Sequence, residues 1–305
     1  MTEIGVTKGG MFEGFAYRSV DVGPARLTVA IGGEGPPLLL LHGYPQTHLA
    51  WHAIAPVLAR EFTVVAPDLR GYGASRLIAG EGGPAAFCKR ALALDQAELM
   101  RLLGFARFAV IGHDRGARVG YRLALDRPDL VSAFVSLTVI PTIEMWDRAD
   151  KAFGMGAYHW FFFAQAADLP ERLVGADPGF FFDWTLGRMA KYFDRLSPAA
   201  IAAYREAFCR AEVLSAIFND YRAGATLDSE HDAADRRAGR RVQCPVFVTW
   251  EQGRFATGET PIDIWRSWAR SVDGAPIDAG HLQAEEAPDE VLAHVLPFLR
   301  RHGGV

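Results

Sequence analysis

The chain has 305 residues, half of them hydrophobic, enough to bury one large core and leave room for an inserted subdomain. Its formal net charge is −4, with acidic and basic residues interspersed and no polybasic arm or face, which excludes nucleic acid and anionic membrane as the default partners and favours a small-molecule substrate. Cys88, Cys209 and Cys244 lie far apart without a CxxC pair, so neither a disulfide framework nor a zinc site is expected and the compartment reads as reducing.

At the start, Met1 to Gly10 has neither the basic nor the apolar region of a signal peptide, and no later apolar run approaches the roughly 20 residues that span a bilayer, so the chain reads as cytoplasmic. Apolar, β-rich runs then occur at Leu27–Gly32, Leu38–Leu41, Phe62–Ala66, Phe108–Ile111, Ala133–Val139 and Pro245–Trp250. Their unbroken hydrophobicity is what parallel strands covered on both faces require. Helical patterns lie between them at Ala86–Leu103, Arg115–Leu125 and Ile262–Ala269, and this alternation predicts an α/β fold with a mostly parallel, doubly wound sheet. From 141 to 225 the pattern is aromatic-dense and helix-like, as in Tyr158-His159-Trp160-Phe161-Phe162-Phe163, with no strand run before Val242. The predicted organisation is a core at 1–140, a helical cap at 141–225 and the rest of the core at 226–305.

Three motifs carry chemistry. Leu38-Leu39-Leu40-Leu41 empties into His42-Gly43-Tyr44-Pro45, which alone could be an ordinary strand and turn. In Val110-Ile111-Gly112-His113-Asp114-Arg115-Gly116 a strand meets a helix across glycines spaced as in the nucleophile elbow G-x-S-x-G, with aspartate in the serine position. A carboxylate there is already ionised and attacks carbon without a base to remove a proton, whereas a serine needs one. Near the end, Asp278-Ala279-Gly280-His281 puts a histidine in a late loop, and the order nucleophile then histidine is that of α/β-hydrolases. Asp114 is therefore the candidate nucleophile and His281 the candidate general base. The oxyanion-hole N–H groups are assigned to Tyr44 and Arg115. His42 and His113 read as loop braces, and Asp68-Leu69-Arg70-Gly71-Tyr72-Gly73 as structural.

Together with Met11-Phe12-Glu13-Gly14-Phe15, Arg118, His159-Trp160 and Asp220-Tyr221-Arg222-Ala223-Gly224, these motifs resemble the fluoroacetate dehalogenases, in the haloalkane dehalogenase and epoxide hydrolase branch of the α/β-hydrolases. The likeness covers almost the whole length. It implies hydrolysis of haloacetates, 2-haloacids, through an aspartyl ester, with no metal or organic cofactor and with a homodimer as the assembly. It assigns the substrate carboxylate to Arg115 and Arg118, three apart on one helix face, and the departing halide to His159, Trp160 and Tyr221. The family pattern places the acid that supports the histidine where this chain has Thr138, within Leu137-Thr138-Val139-Ile140-Pro141-Thr142. Glu251, at the exit of the next strand, is the nearest replacement, with Glu144 and Asp147 behind it. Two alternatives stay open. An epoxide hydrolase would use the same Asp–His pair with two tyrosine donors, Tyr221 with Tyr158 or Tyr192. A non-catalytic homologue would follow from the missing acid.

Overall fold

A computed structural model describes residues 2–3, 11–254 and 258–304 of the chain. Among the described residues, ten strands form one sheet: β1 (Thr2–Glu3), β2 (Ala16–Asp21), β3 (Ala25–Gly32), β4 (Pro37–Leu41), β5 (Thr63–Pro67), β6 (Arg76–Leu77), β7 (Phe108–His113), β8 (Val131–Leu137), β9 (Val246–Glu251) and β10 (Val272–Ile277). Their order is β1-β2-β3-β5-β4-β7-β8-β9-β10, with β6 pairing to β3. Pairing is parallel from β5 through β10 and antiparallel among β1, β2, β3, β5 and β6.

The apolar central strands are buried on both faces, and their alternation divides the core in two. Leu39, Leu41, Val110 and Phe134 face the layer that holds the helices Lys89–Leu102 and Arg115–Asp126, whereas Leu38, Leu40, Ile111 and Val135 pack with Trp51 and the C-terminal helix Pro288–His302. The first cluster continues through Tyr44 into Trp160, Phe163, Phe182, Phe208 and Tyr221, so the aromatic helices between β8 and β9 share a core with the sheet. These helices run from Thr142 to Arg237.

Four strands escape the sequence pattern. β2 is half polar and β10 contains Asp273, Gly274 and Pro276, which a sheet edge tolerates and a central strand does not; β1 and β6 are two residues each. Two helices are shorter than expected. The helix placed at Ala86–Leu103 breaks at Cys88, whose ψ of 152° is extended. There Asp228, from a helix far along the chain, accepts the Lys89 N–H at 2.7 Å and restarts the helix as Lys89–Leu102. The helix placed at Ile262–Ala269 ends at Trp265, because Ala269 bridges to Val242 on the way into β10.

Candidate active site

Asp114 sits between β7 and the helix Arg115–Asp126 with φ 48° and ψ −116°, a backbone conformation that costs a non-glycine residue energy and pushes its side chain out of the turn. The turn closes only because its neighbours are glycines. A Cβ on Gly116 would strike the carbonyls of Leu41 and His42, and one on Gly43 would lie 2.5 Å from the Asp114 Cβ. Asp114 Oδ1 accepts the Tyr44 N–H at 3.0 Å, and Oδ2 lies 3.5 Å from His281 Nε2. Burial alone would push the Asp114 carboxyl up. The adjacent His281, with His113 and Arg115, outweighs burial and holds it well below the usual range.

His281 is pinned through its backbone: its N–H donates to Met189 O at 2.9 Å, and its carbonyl accepts from His113 Nε2 at 2.7 Å. His42 braces the other wall, with Nδ1 donating to Gly43 O at 3.0 Å and Nε2 accepting the Leu69 N–H at 3.0 Å. Burial drives both braces down, His42 to about 4 and His113 to about 3, so they are neutral at physiological pH. Asp68 holds the Ala74 and His48 N–H groups and the His48 ring, consistent with a structural part.

The two arginines differ in a way their spacing conceals. Arg115 donates from Nε and Nη2 to the buried carboxylate of Asp220 at 3.0 and 2.7 Å, leaving Nη1 as its buried donor without a partner among the described residues. Asp220 also pairs with Lys89 and accepts the Tyr72 hydroxyl at 2.8 Å, and Lys89 pairs with Asp228. Arg115 is thus largely neutralised inside the protein. Arg118 donates from Nη1 to Ile140 O and Thr142 Oγ1, both at 3.1 Å, while its buried Nε has no partner among the described residues. Burial first and the charge of Arg115 second push its pKa down, outweighing the opposing charges of Asp114 and Asp232. Trp160 stacks 4.6 Å from the Arg118 guanidinium and Tyr221 4.2 Å from that of Arg115.

His159, Trp160 and Tyr221 do converge. The His159 ring lies 5.5 Å from Tyr221 and is stacked on Tyr44 at 5.4 Å; Trp160 lies 6.1 Å from Tyr221. Burial lowers His159 to about 3, so it is a neutral donor, and the buried Tyr221 hydroxyl has no partner among the described residues.

Thr138 stands at the end of β8 with φ 72° and a buried hydroxyl without a partner among the described residues. Glu251 Oε1 lies 3.9 Å from His281 Nδ1 but is also bound by Arg254 at 2.8 Å. Glu144 pairs with Arg148 and accepts the Trp268 indole N–H, and Asp147 pairs with Arg236, so neither meets His281. Tyr192 donates to the exposed Asp278, whereas the buried Tyr44 hydroxyl has no hydrogen-bond partner among the described residues. Sequence reasoning missed Asp220 and Thr142, which hold the arginines, and Lys89, which pairs with Asp220. Asp220 lies beside Tyr221 in one motif; Lys89 had no signal, being one of several charged residues in its helix.

A family model described as alpha/beta hydrolase fold matches residues 36–250. The chain is 41% identical to a fluoroacetate dehalogenase of Burkholderia sp. over 95% of both proteins. It is 31% identical to a soluble epoxide hydrolase of Corynebacterium sp. (strain C12), over 90% of this chain and 93% of that one. A solved structure of a candidate epoxide hydrolase from Pseudomonas aeruginosa superposes with a TM-score of 0.93 at 56% identity, covering 97% of this chain and 98% of that one. A threonine-to-aspartate variant of the same protein has been solved with bound MFA. The chain therefore belongs to the α/β-hydrolase family, alongside the fluoroacetate dehalogenase and the soluble epoxide hydrolase that it matches along nearly their whole length.

Proposed function

We propose that this enzyme is a haloacetate dehalogenase, acting on fluoroacetate or a close 2-haloacid through an ester on Asp114. The observation that carries the reading is the pair of buried donors without partners among the described residues, Arg115 Nη1 and Arg118 Nε, on the helix that begins beside Asp114. A buried N–H left unpaired is costly, and a substrate carboxylate satisfies both donors at once. Arg118 then supplies the charge and Arg115 chiefly a direction. The identity to a fluoroacetate dehalogenase supports the same substrate class.

In this reading the cap helices within 141–225 close over the substrate. Oδ2 of Asp114 bonds to the α-carbon as the carbon–halogen bond breaks, and the halide leaves with the bonding pair toward His159, Trp160 and Tyr221. Converging donors matter most for fluoride, which is small and strongly hydrated. Oδ1, held by the Tyr44 N–H, becomes the ester carbonyl oxygen, with the Arg115 N–H as its second donor. Water attacks Cγ, His281 takes its proton, and glycolate departs, leaving one proton for solvent. We assign Glu251 as the acid behind His281.

A panel of fluoro-, chloro- and bromoacetate, with halide and glycolate measured and the protein weighed intact, tests the reading. We expect equal release of halide and glycolate by the wild type and a stable adduct on Asp114 in His281→Ala. No adduct and no halide with any member would sink it. An epoxide belongs in the panel because the Tyr44 and Tyr221 hydroxyls are both buried and unpartnered among the described residues, with rings 5.5 Å apart. A diol without halide release would select that chemistry instead.

A further inference from the structure

Between the helices Pro178–Met189 and Pro198–Phe208, a short strap of the cap lies against the loop that carries His281, and one buried side chain joins them. Glu286 is 1% exposed. Its Oε2 accepts the N–H groups of Lys191 (2.7 Å), Tyr192 (2.8 Å) and Gly280 (3.0 Å), and its Oε1 accepts that of Leu282 (2.9 Å). Two of these donors are the residues on either side of His281, and the other two belong to the strap. The joint continues around Glu286: Met189 O accepts the His281 N–H, Arg195 Nη1 donates to Glu286 O at 3.1 Å, and Lys191 pairs with Asp278. The strap and loop are also in tight backbone contact at Gly280, where a Cβ would lie 2.5 Å from Lys191 N, 2.7 Å from Met189 O and 2.9 Å from Glu286 Oε1.

A carboxylate that accepts four backbone N–H groups makes charge-assisted bonds, and replacing it leaves buried donors facing nothing or facing another donor. We propose that Glu286 is a positioning residue for His281, which holds the base at the Asp114 ester only while the cap strap is seated. The role rests on the dehalogenase reading and belongs to its second step. Attack of Asp114 on carbon needs no base, whereas attack of water on the ester needs His281 in place.

The test separates the two steps in the full-length protein with chloroacetate, following halide release, the covalent adduct by intact mass, and thermal stability. We expect Glu286→Gln to form ester within about threefold of the wild-type rate and to hydrolyse it at least tenfold more slowly, so that adduct accumulates. Glu286→Asp should recover part of the loss, and Gly280→Ala, whose methyl group presses on the strap backbone and on Glu286 Oε1 while the carboxylate itself is kept, should repeat the signature. If Glu286→Gln does not fold, the other two variants carry the same comparison. Unchanged ester hydrolysis in folded variants overturns the proposal, as does an equal loss in both steps that tracks lost stability. A wild type that neither releases halide nor forms an adduct with any haloacetate overturns the dehalogenase reading instead. The ring 15N resonances of His281 then decide the part played by Glu286: a displacement in the variants upholds it, and identical spectra end it.

Discussion

Arg115 and Arg118 share a helix face, yet Asp220 takes two donors of the first and no carboxylate meets the second within the described residues. Their substitutions should therefore fail differently. Arg118→Gln removes a charge-assisted contact of about 1.5–3 kcal/mol from the substrate, so kcat/KM should fall roughly 10- to 100-fold, mostly through KM, with the melting temperature little changed. Arg115→Gln breaks a buried pair, which typically costs about 3–5 kcal/mol, and should lower the melting temperature first. Thr138 carries a second contrast. A β-branched residue at φ 72° is strained, whereas asparagine and aspartate accept that region. Thr138→Asp should accelerate ester hydrolysis if the supporting acid limits turnover, and Thr138→Asn should relieve the backbone without accelerating it. Single-turnover decay of the adduct measures both. If Thr138→Asp leaves a fast wild-type turnover unchanged while Glu251→Gln abolishes it, the acid is Glu251.

The strand–elbow–helix unit from Phe108 to Asp126 was legible before folding, because its apolar strand, glycines and helical pattern all point to one turn. Its tolerance is correspondingly narrow. Gly116→Ala would drive a methyl group into the carbonyls of Leu41 and His42, so we expect loss of soluble folded protein or a fall of several degrees in melting temperature. The break at Cys88 was not legible, since the cap for Lys89 is Asp228, more than a hundred residues away. The same reason hides β10, whose polar sequence becomes a strand only because β9 offers a parallel edge. Site residues divide likewise. Asp114 and His281 announce themselves through local motifs, whereas Asp220, Thr142 and Glu286 act through partners that only the fold delivers.

Two adjacent acids join the cap to the core. Beside Glu286, the buried Glu285 pairs with Gln46, accepts the Tyr204 hydroxyl at 3.2 Å and lies 3.6 Å from His52 Nδ1. Burial raises its pKa from 4.5 to about 8, with the neighbouring Glu286 adding to the rise. The folded state thus holds a proton that the unfolded chain releases near pH 4.5, so this contribution to stability is complete below that pH and is lost as pH rises through about 8. Glu285→Gln should flatten the slope, and its melting temperature should gain on the wild type across that window; parallel melting curves would refute the assignment. The fold class and the order of the candidate catalytic motifs, with Asp114 as candidate nucleophile, were written in local patterns, because hydrophobic period and turn glycines act over a few residues. Which arginine has its charge paired inside the protein, how near Glu251 comes to His281 and what ties the candidate base to the cap depend on side chains brought together from distant segments, and only the tertiary structure decided them.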